Sequence, residues 1–263
     1  MRPYPFTPSY LDALPEELAE LFRGLEITLL EEICSRLKIS GQLNEVTVAG
    51  IKALRSHGID LESIEKAISE TTGVGRRKLD KLLDDVVERN QAYYTELIDI
   101  TKVTAPETLL SAATVDAIRR QAQREYRNIT RSMGFLLDSG KTMLAPAKAY
   151  QWVLDSAILQ IESGAIPYNQ AIASAVKQLA DSGIKTVDYE SGHVDQVDVA
   201  IRRATMTGVA NINQQYSIQS MEYLNTNLVE VSAHMGARNK DGPNGWENHE
   251  RWQGKIYRWN RRR

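Results

Sequence analysis

Apolar residues recur at steps of three and four along most of this chain, and that spacing restricts it to a largely helical fold. Leu18, Leu21, Phe22, Leu25, Leu29, Ile33 and Leu37 form one stripe of a long helix. Pro15 suits the start of that helix, Glu16 and Glu17 suit its positive end, and Gly41 is placed to stop it. Leu61, Ile64 and Ile68 make a second, short stripe, and Leu79, Leu82, Leu83, Val86 and Val87 a third. Between them lies Thr72-Gly73-Val74-Gly75-Arg76-Arg77, which reads as a turn joining two helices, with a DNA-binding glycine hairpin as the weaker alternative. Cys34 falls within the first stripe and reads as a small core residue. As the single cysteine it excludes an internal disulfide and a cysteine-based zinc site.

Residues 91–135 read as longer helices broken near Thr104, Ala105 and Pro106. After the break Leu109, Ala113, Ala117 and Ile118 pack, while Arg119, Arg120, Arg124, Arg127 and Arg131 crowd the same stretch. These arginines form either a solvated face partnered by Asp116 and Glu125, or a surface for an acidic neighbour or DNA phosphates. A helical hairpin follows. Tyr150, Val153, Leu154, Ala157 and Ile161 line its first helix, ended by Gly164. Pro167 opens the second, lined by Ile172, Ala175, Val176 and Leu179 and ended by Gly183. The period then changes: Thr186 to Tyr189 suggests a strand, Val194 to Tyr216 another helix, and Val229, Val231 and Ala233 alternate as a half-buried strand. Gly236, Gly242, Pro243 and Gly245 mark a loop.

The expected architecture is therefore mainly α: an elongated helical body with a small C-terminal α+β module. Residues 1–140 form the N-terminal helical region, 141–183 the hairpin and 184–263 the module with a basic tail. No apolar run approaches the roughly 20 residues of a membrane span, and the start lacks a secretory apolar core, so synthesis and retention in the cytoplasm are expected. The net charge of −2 argues against a general nucleic-acid binder. Its distribution is uneven. Residues 234–263 hold eight Lys/Arg against three Asp/Glu, a local +5, which leaves −7 on the rest. Three of the four tryptophans, Trp246, Trp252 and Trp259, lie there too.

That module holds one dense polar constellation, His234 and Arg238 followed by Glu247, His249, Glu250, Trp252, Gln253 and Gly254. The two histidines with Glu247 or Glu250 offer metal ligands, at a spacing that matches no short metal motif. A histidine pair with glutamate and arginine also has the groups for acid–base cleavage of a phosphate ester. The third reading is structural: the histidines and Arg238 hydrogen-bond the loop back onto the strand, and Trp252 plugs a small core. This third reading is preferred, with no catalytic residues, no metal and no cofactor. Elsewhere, His57 reads as a helix C-terminal residue and His193 as exposed.

The run Val229-Glu230-Val231-Ser232-Ala233-His234, the step Gly236-Ala237-Arg238 and the segment His249-Glu250-Arg251-Trp252-Gln253-Gly254 resemble the signature of the phage minor capsid protein 2 family. Upstream, Asp181, Gly183, Asp188, Tyr189 and the stretch from Ala200 to Val209 also match its pattern. Two departures are visible: the loop from Asn239 to Trp246 is longer than usual, and the Gly- and Cys-containing tail of other members is not present. The resemblance implies a structural protein of a tailed-phage virion, at the portal vertex or capsid interior. It implies the portal protein, the major capsid protein and other copies of the chain as partners, with no membrane. The family offers no catalytic residues to carry over. Its signature positions here are His234, Arg238, His249, Trp252, Gln253 and Gly254. Arg258, Trp259, Arg261, Arg262 and Arg263 become candidates for contact with the portal or, without base reading, with packaged DNA. The rival readings are a nuclease or toxin-like enzyme in the C-terminal module and a free DNA-binding protein.

Overall fold

The computed structural model describes residues 4–40, 61–137, 142–187, 192–231, 239–242 and 248–259. Readings that fall on the side chain of Cys34, or on Gly41, His57, Asp188, Tyr189, His234, Arg238, Trp246, Glu247 and Arg261 to Arg263, lie outside the described residues. The chain is mainly α, in two compact units built from interleaved stretches of sequence. One gathers Met1–Asp12, Leu83–Ile118 and Val209–Arg263; the other gathers Ala13–Leu82 and Arg119–Gly208.

In the second of these units the first apolar stripe forms α2 (Glu16–Ser40), after a short α1 (Pro8–Ala13). Leu18, Phe22, Leu25, Leu29 and Ile33 are all buried to 2% exposure or less. The next helix, α3 (Glu62–Ile100), overturns two expectations at once. The stripes around Ile64 and Leu83 belong to one continuous helix, and Thr72 to Arg77 is part of it, not a turn. The reason is packing. An added Cβ at Gly75 would lie 2.3 Å from Tyr126 Oη, on α4 (Ala112–Arg131), and 3.3 Å from Leu21. Gly75 is thus a point of close helix approach. The Tyr126 hydroxyl donates to the carbonyl of Thr72 at 2.8 Å, and its ring packs edge-on to Phe22. Burial pushes the Tyr126 phenol well above its ordinary range.

The same unit holds an antiparallel sheet that the apolar pattern does not announce. Its strands are β1 (Gly134–Leu137), β2 (Thr142–Leu144), β3 (Ile184–Val187) and β4 (Val194–Gln196), in the order β2-β1-β3-β4. Phe135, fully buried, pairs with Leu144 on one side and Ile184 on the other. The sheet therefore joins residues from all three of the segments 1–140, 141–183 and 184–263. Strands of three or four residues are too short to show an alternation, which is why β1, β2 and β4 escape a periodicity search. The strand expected from Thr186 begins earlier, at Ile184, and Val194 to Gln196 are strand before the helix starts. The helical hairpin is present as α5 (Pro146–Glu162) and α6 (Tyr168–Ser182), and both helices pack on β1.

Gly183 ends α6 at φ +63°, donating its N–H to Leu179 O. Just beyond it, Ile184 N donates to Glu26 Oε2 at 2.9 Å, which fixes β3 against α2. The Ser182 hydroxyl oxygen accepts from Leu136 N at 2.7 Å, fixing α6 to β1. The last helix, α7 (Val197–Tyr223), follows β4 without a break. Its Arg202 reaches Glu16 of α2 at 2.7 Å, a carboxylate that Arg23 shares.

The other unit is an aromatic assembly around the later part of α3. Tyr4 meets Tyr93 edge-on, Phe6 is buried between Tyr4 and Tyr10, and Arg89 lies 4.7 Å over the Tyr10 ring. Tyr94 stacks on Tyr216 of α7, and buried Asn90 donates to Asn213 Oδ1 at 2.7 Å. The expected break comes after Ile100. There Gln91 accepts from Leu109 N and donates to Glu107 O, and Tyr223 donates to Thr104 O.

Candidate functional site

The C-terminal signature lies in this aromatic unit. Two strands, β5 (Leu228–Glu230) and β6 (Ile256–Arg258), pair antiparallel with Val229 opposite Tyr257. The ladder extends past both ends. Val231 N donates to Lys255 O at 3.1 Å, Gly254 N to Val231 O at 2.8 Å and Trp259 N to Asn227 O at 2.6 Å. The side chains alternate as a strand requires. Val229 and Tyr257 are half-buried, while Leu228, Glu230, Ile256 and Arg258 share the exposed face. Burial raises the Tyr93 phenol, and the Glu230 carboxylate raises it further.

Between the strands the described chain is held by short-range bonds. A turn of 3-10 helix spans His249–Arg251, and Trp252 N closes it by donating to His249 O. Asn248 is buried and donates to Asn239 O at 3.0 Å, while Arg251 pairs with Asp241 at 2.8 Å. Gly254 sits at φ +65°, a left-handed conformation open to glycine, with no heavy atom within 4 Å of where a Cβ would stand. The glycine of the Trp-Gln-Gly step is therefore a backbone requirement of the turn that brings Ile256 into register.

The structure separates the predicted residues. His249 is exposed on the 3-10 turn, Gln253 is half-buried, and Gly254 makes the turn. Trp252 corrects an expectation. It remains 39% exposed, with its ring 5.2 Å from the Tyr257 ring, so it covers the hairpin and does not plug a core. Arg258 and Trp259 are both exposed, Trp259 at 46%. His234, Arg238, Arg261, Arg262 and Arg263 lie outside the described residues. Among the described residues no three His, Cys, Asp or Glu side chains gather as metal ligands do.

Sequence reasoning missed a second polar group, in the sheet-containing unit. A cavity of about 350 Å³ is lined by Asn128, Thr186, Asp195, Arg203 and Thr207, among others. Arg203 pairs with Asp195, and His193, exposed as expected, lies 3.2 Å from the same carboxylate. Burial pushes Asp195 up, but the Arg203 hydrogen bond and charge, with His193 behind them, outweigh it and hold the carboxyl below its ordinary value. No motif marked this group, because Asp195 lies on β4 and Arg203 on α7, elements whose junction carries no sequence signal.

The chain belongs to the phage minor capsid protein 2 family, whose model matches residues 6–262. No curated protein and no solved structure matches it. The protein is thus a structural component of a phage capsid, a constituent of the virion that assembles with other virion components. Among the described residues no helix is long and apolar enough to cross a membrane.

Proposed function

We propose that this minor capsid protein sits inside the head near the portal, where it supports head assembly and genome packaging or release. It acts as a building block and not as an enzyme. It contacts the portal protein, further copies of itself and the major capsid protein. His234, Arg238, His249, Trp252, Gln253 and Gly254 serve to hold the C-terminal module in shape. Arg258, Trp259, Arg261, Arg262 and Arg263 form its docking edge. They engage the portal and touch packaged DNA without reading bases.

The observation that carries this reading is the outer face of the β5–β6 hairpin. A two-stranded sheet is marginal alone in water. On that face Leu228 is 52% exposed and Ile256 67%, with Glu230 and Arg258 beside them, and Trp259, 46% exposed, follows at the end of β6. Exposed apolar groups beside charged ones on a strand pair have the composition of an interface, in which tryptophan and arginine dominate binding. The match of the family model through residue 262 brings this edge within the capsid family's shared sequence.

The test is incorporation. Phage carrying the chain without residues 258–263, or with Trp259→Ala, should yield heads depleted in this protein by about tenfold or more, the effect of losing one interface anchor of roughly 1.4–2 kcal/mol. Quantitative gel analysis of purified heads reads the result. Wild-type copy numbers in both variants would refute the docking edge.

A further inference from the structure

Arg120, Arg124, Arg127 and Arg131 follow one another on α4 at steps of four, three and four residues. At 100° and 1.5 Å per residue they fall within an arc of about 60° and extend over roughly 16 Å. All four are exposed. The buried residues Ile118, Ala122 and Tyr126 lie on the opposite side of the helix. The line is therefore a solvent face of a helix that is fixed from behind.

How these side chains are partnered sets them apart. Arg23 bonds Glu16, Arg202 bonds Glu16, Arg203 bonds Asp195 and Arg251 bonds Asp241. Among the described residues, none of the four guanidiniums on α4 makes a hydrogen bond or ion pair. The helix carries five arginines against two carboxylates, Asp116 and Glu125, and Glu125 accepts from the neutral Gln121. Of the two arrangements the sequence leaves open, the solvated face partnered by Asp116 and Glu125 is not formed by these four residues. Like charges at i and i+4 destabilise a helix, and burial gains nothing for them. In a chain of net charge −2, such a row is a local concentration of positive charge.

We propose that this arginine line binds the phosphate backbone of double-stranded DNA without reading its sequence. Duplex DNA carries one negative charge per ~1.7 Å of axis, so roughly nine phosphates lie along the length of the line. The intervals of about 4.5–6 Å between arginines need no matched row of protein carboxylates, only a continuous polyanion. A capsid protein shares its particle with such a polymer. This site is separate from the C-terminal docking edge, and its test is independent of where in the head the protein sits.

The experiment measures binding of the full-length protein to a labelled duplex of roughly 30 base pairs by fluorescence anisotropy, between about 50 and 200 mM NaCl. The wild type is compared with R120Q/R124Q/R127Q/R131Q and with the matching Arg→Lys quadruple. Circular dichroism checks that each is folded. Four phosphate contacts contribute about 3.6 to the slope of log K against log salt, or on the order of 100-fold in affinity over that range. The Gln quadruple should lose most of this, and the Lys quadruple should keep it. Two duplexes of unrelated sequence should bind alike. If the Gln quadruple does not fold, Arg124→Gln and Arg127→Gln alone should each lower the slope by about one. An unchanged slope in the Gln variants, or no wild-type binding at 50 mM salt, would overturn the proposal. So would tenfold discrimination between the duplexes. Loss in the Lys quadruple equal to that in the Gln quadruple would also overturn it, and would indicate a protein partner that needs planar guanidinium forks.

Discussion

Gly75 carries no side chain because the Tyr126 hydroxyl occupies the place where one would go. On helix propensity alone, Gly75→Ala would stabilise α3 by about 1 kcal/mol. The contact reverses the sign: the tyrosine must move and release its bond to Thr72 O, for a net loss of about 1–3 kcal/mol. Urea unfolding of Gly75→Ala in wild-type and Tyr126→Phe backgrounds decides this, since the phenylalanine vacates the space. The alanine should cost at least 0.5 kcal/mol less in the second background, the lower end of coupling between touching residues. At Asp195 the consequence is a pH dependence. Its folded-state carboxyl is held below the ordinary value, so its contribution is present above about pH 4 and lost as pH falls through the folded value. Asp195→Asn should lower stability at pH 7 and flatten the acid limb of the stability curve, measured as midpoints of urea unfolding between pH 2 and 7. A parallel downward shift at every pH would show that the ion pair with Arg203 is not the cause.

The β5–β6 hairpin turns on the left-handed residue Gly254. With open space around its Cβ position, Gly254→Ala meets no clash and costs only backbone strain, about 1–2 kcal/mol. Because asparagine tolerates this conformation, Gly254→Asn should cost about half as much. Limited trypsin cleavage after Arg251 and Lys255 should quicken in the order wild type, Asn, Ala, and equal rates would remove the turn from the account. This element was readable in advance in part. The alternation of Val229 and Val231 announced β5, and the signature announced the glycine. The exposure of Trp252 was not readable, since a tryptophan beside a tyrosine looks the same in sequence whether it fills a core or roofs a hairpin. The long helix α3 was misread as two for a related reason: glycine marks turns and close packing alike, and only the position of Tyr126 distinguishes them. The arginines of α4 were legible as a cluster. Their lack of carboxylate partners was not, because pairing depends on which neighbours reach the face.

For the molecule as a whole, helical character and family were legible because they rest on many residues at once: apolar stripes tens of residues long, and a signature spread from 181 to 257. The gathering of distant segments into compact units was not legible. Compact units that gather Ala13–Leu82 with Arg119–Gly208 arise from contacts across long sequence separations, which local patterns do not encode. Phe135 shows what that implies for synthesis. Its strand pairs with Leu144 almost at once, but the other partner, Ile184, follows 49 residues after Phe135. At roughly 5–20 residues per second, a ribosome delivers that partner some 2–10 s later. Until then one edge of a largely buried strand waits unpaired, with the α5–α6 hairpin the first element available to shelter it. The tempo of translation is thereby written into the place of one phenylalanine in the sheet.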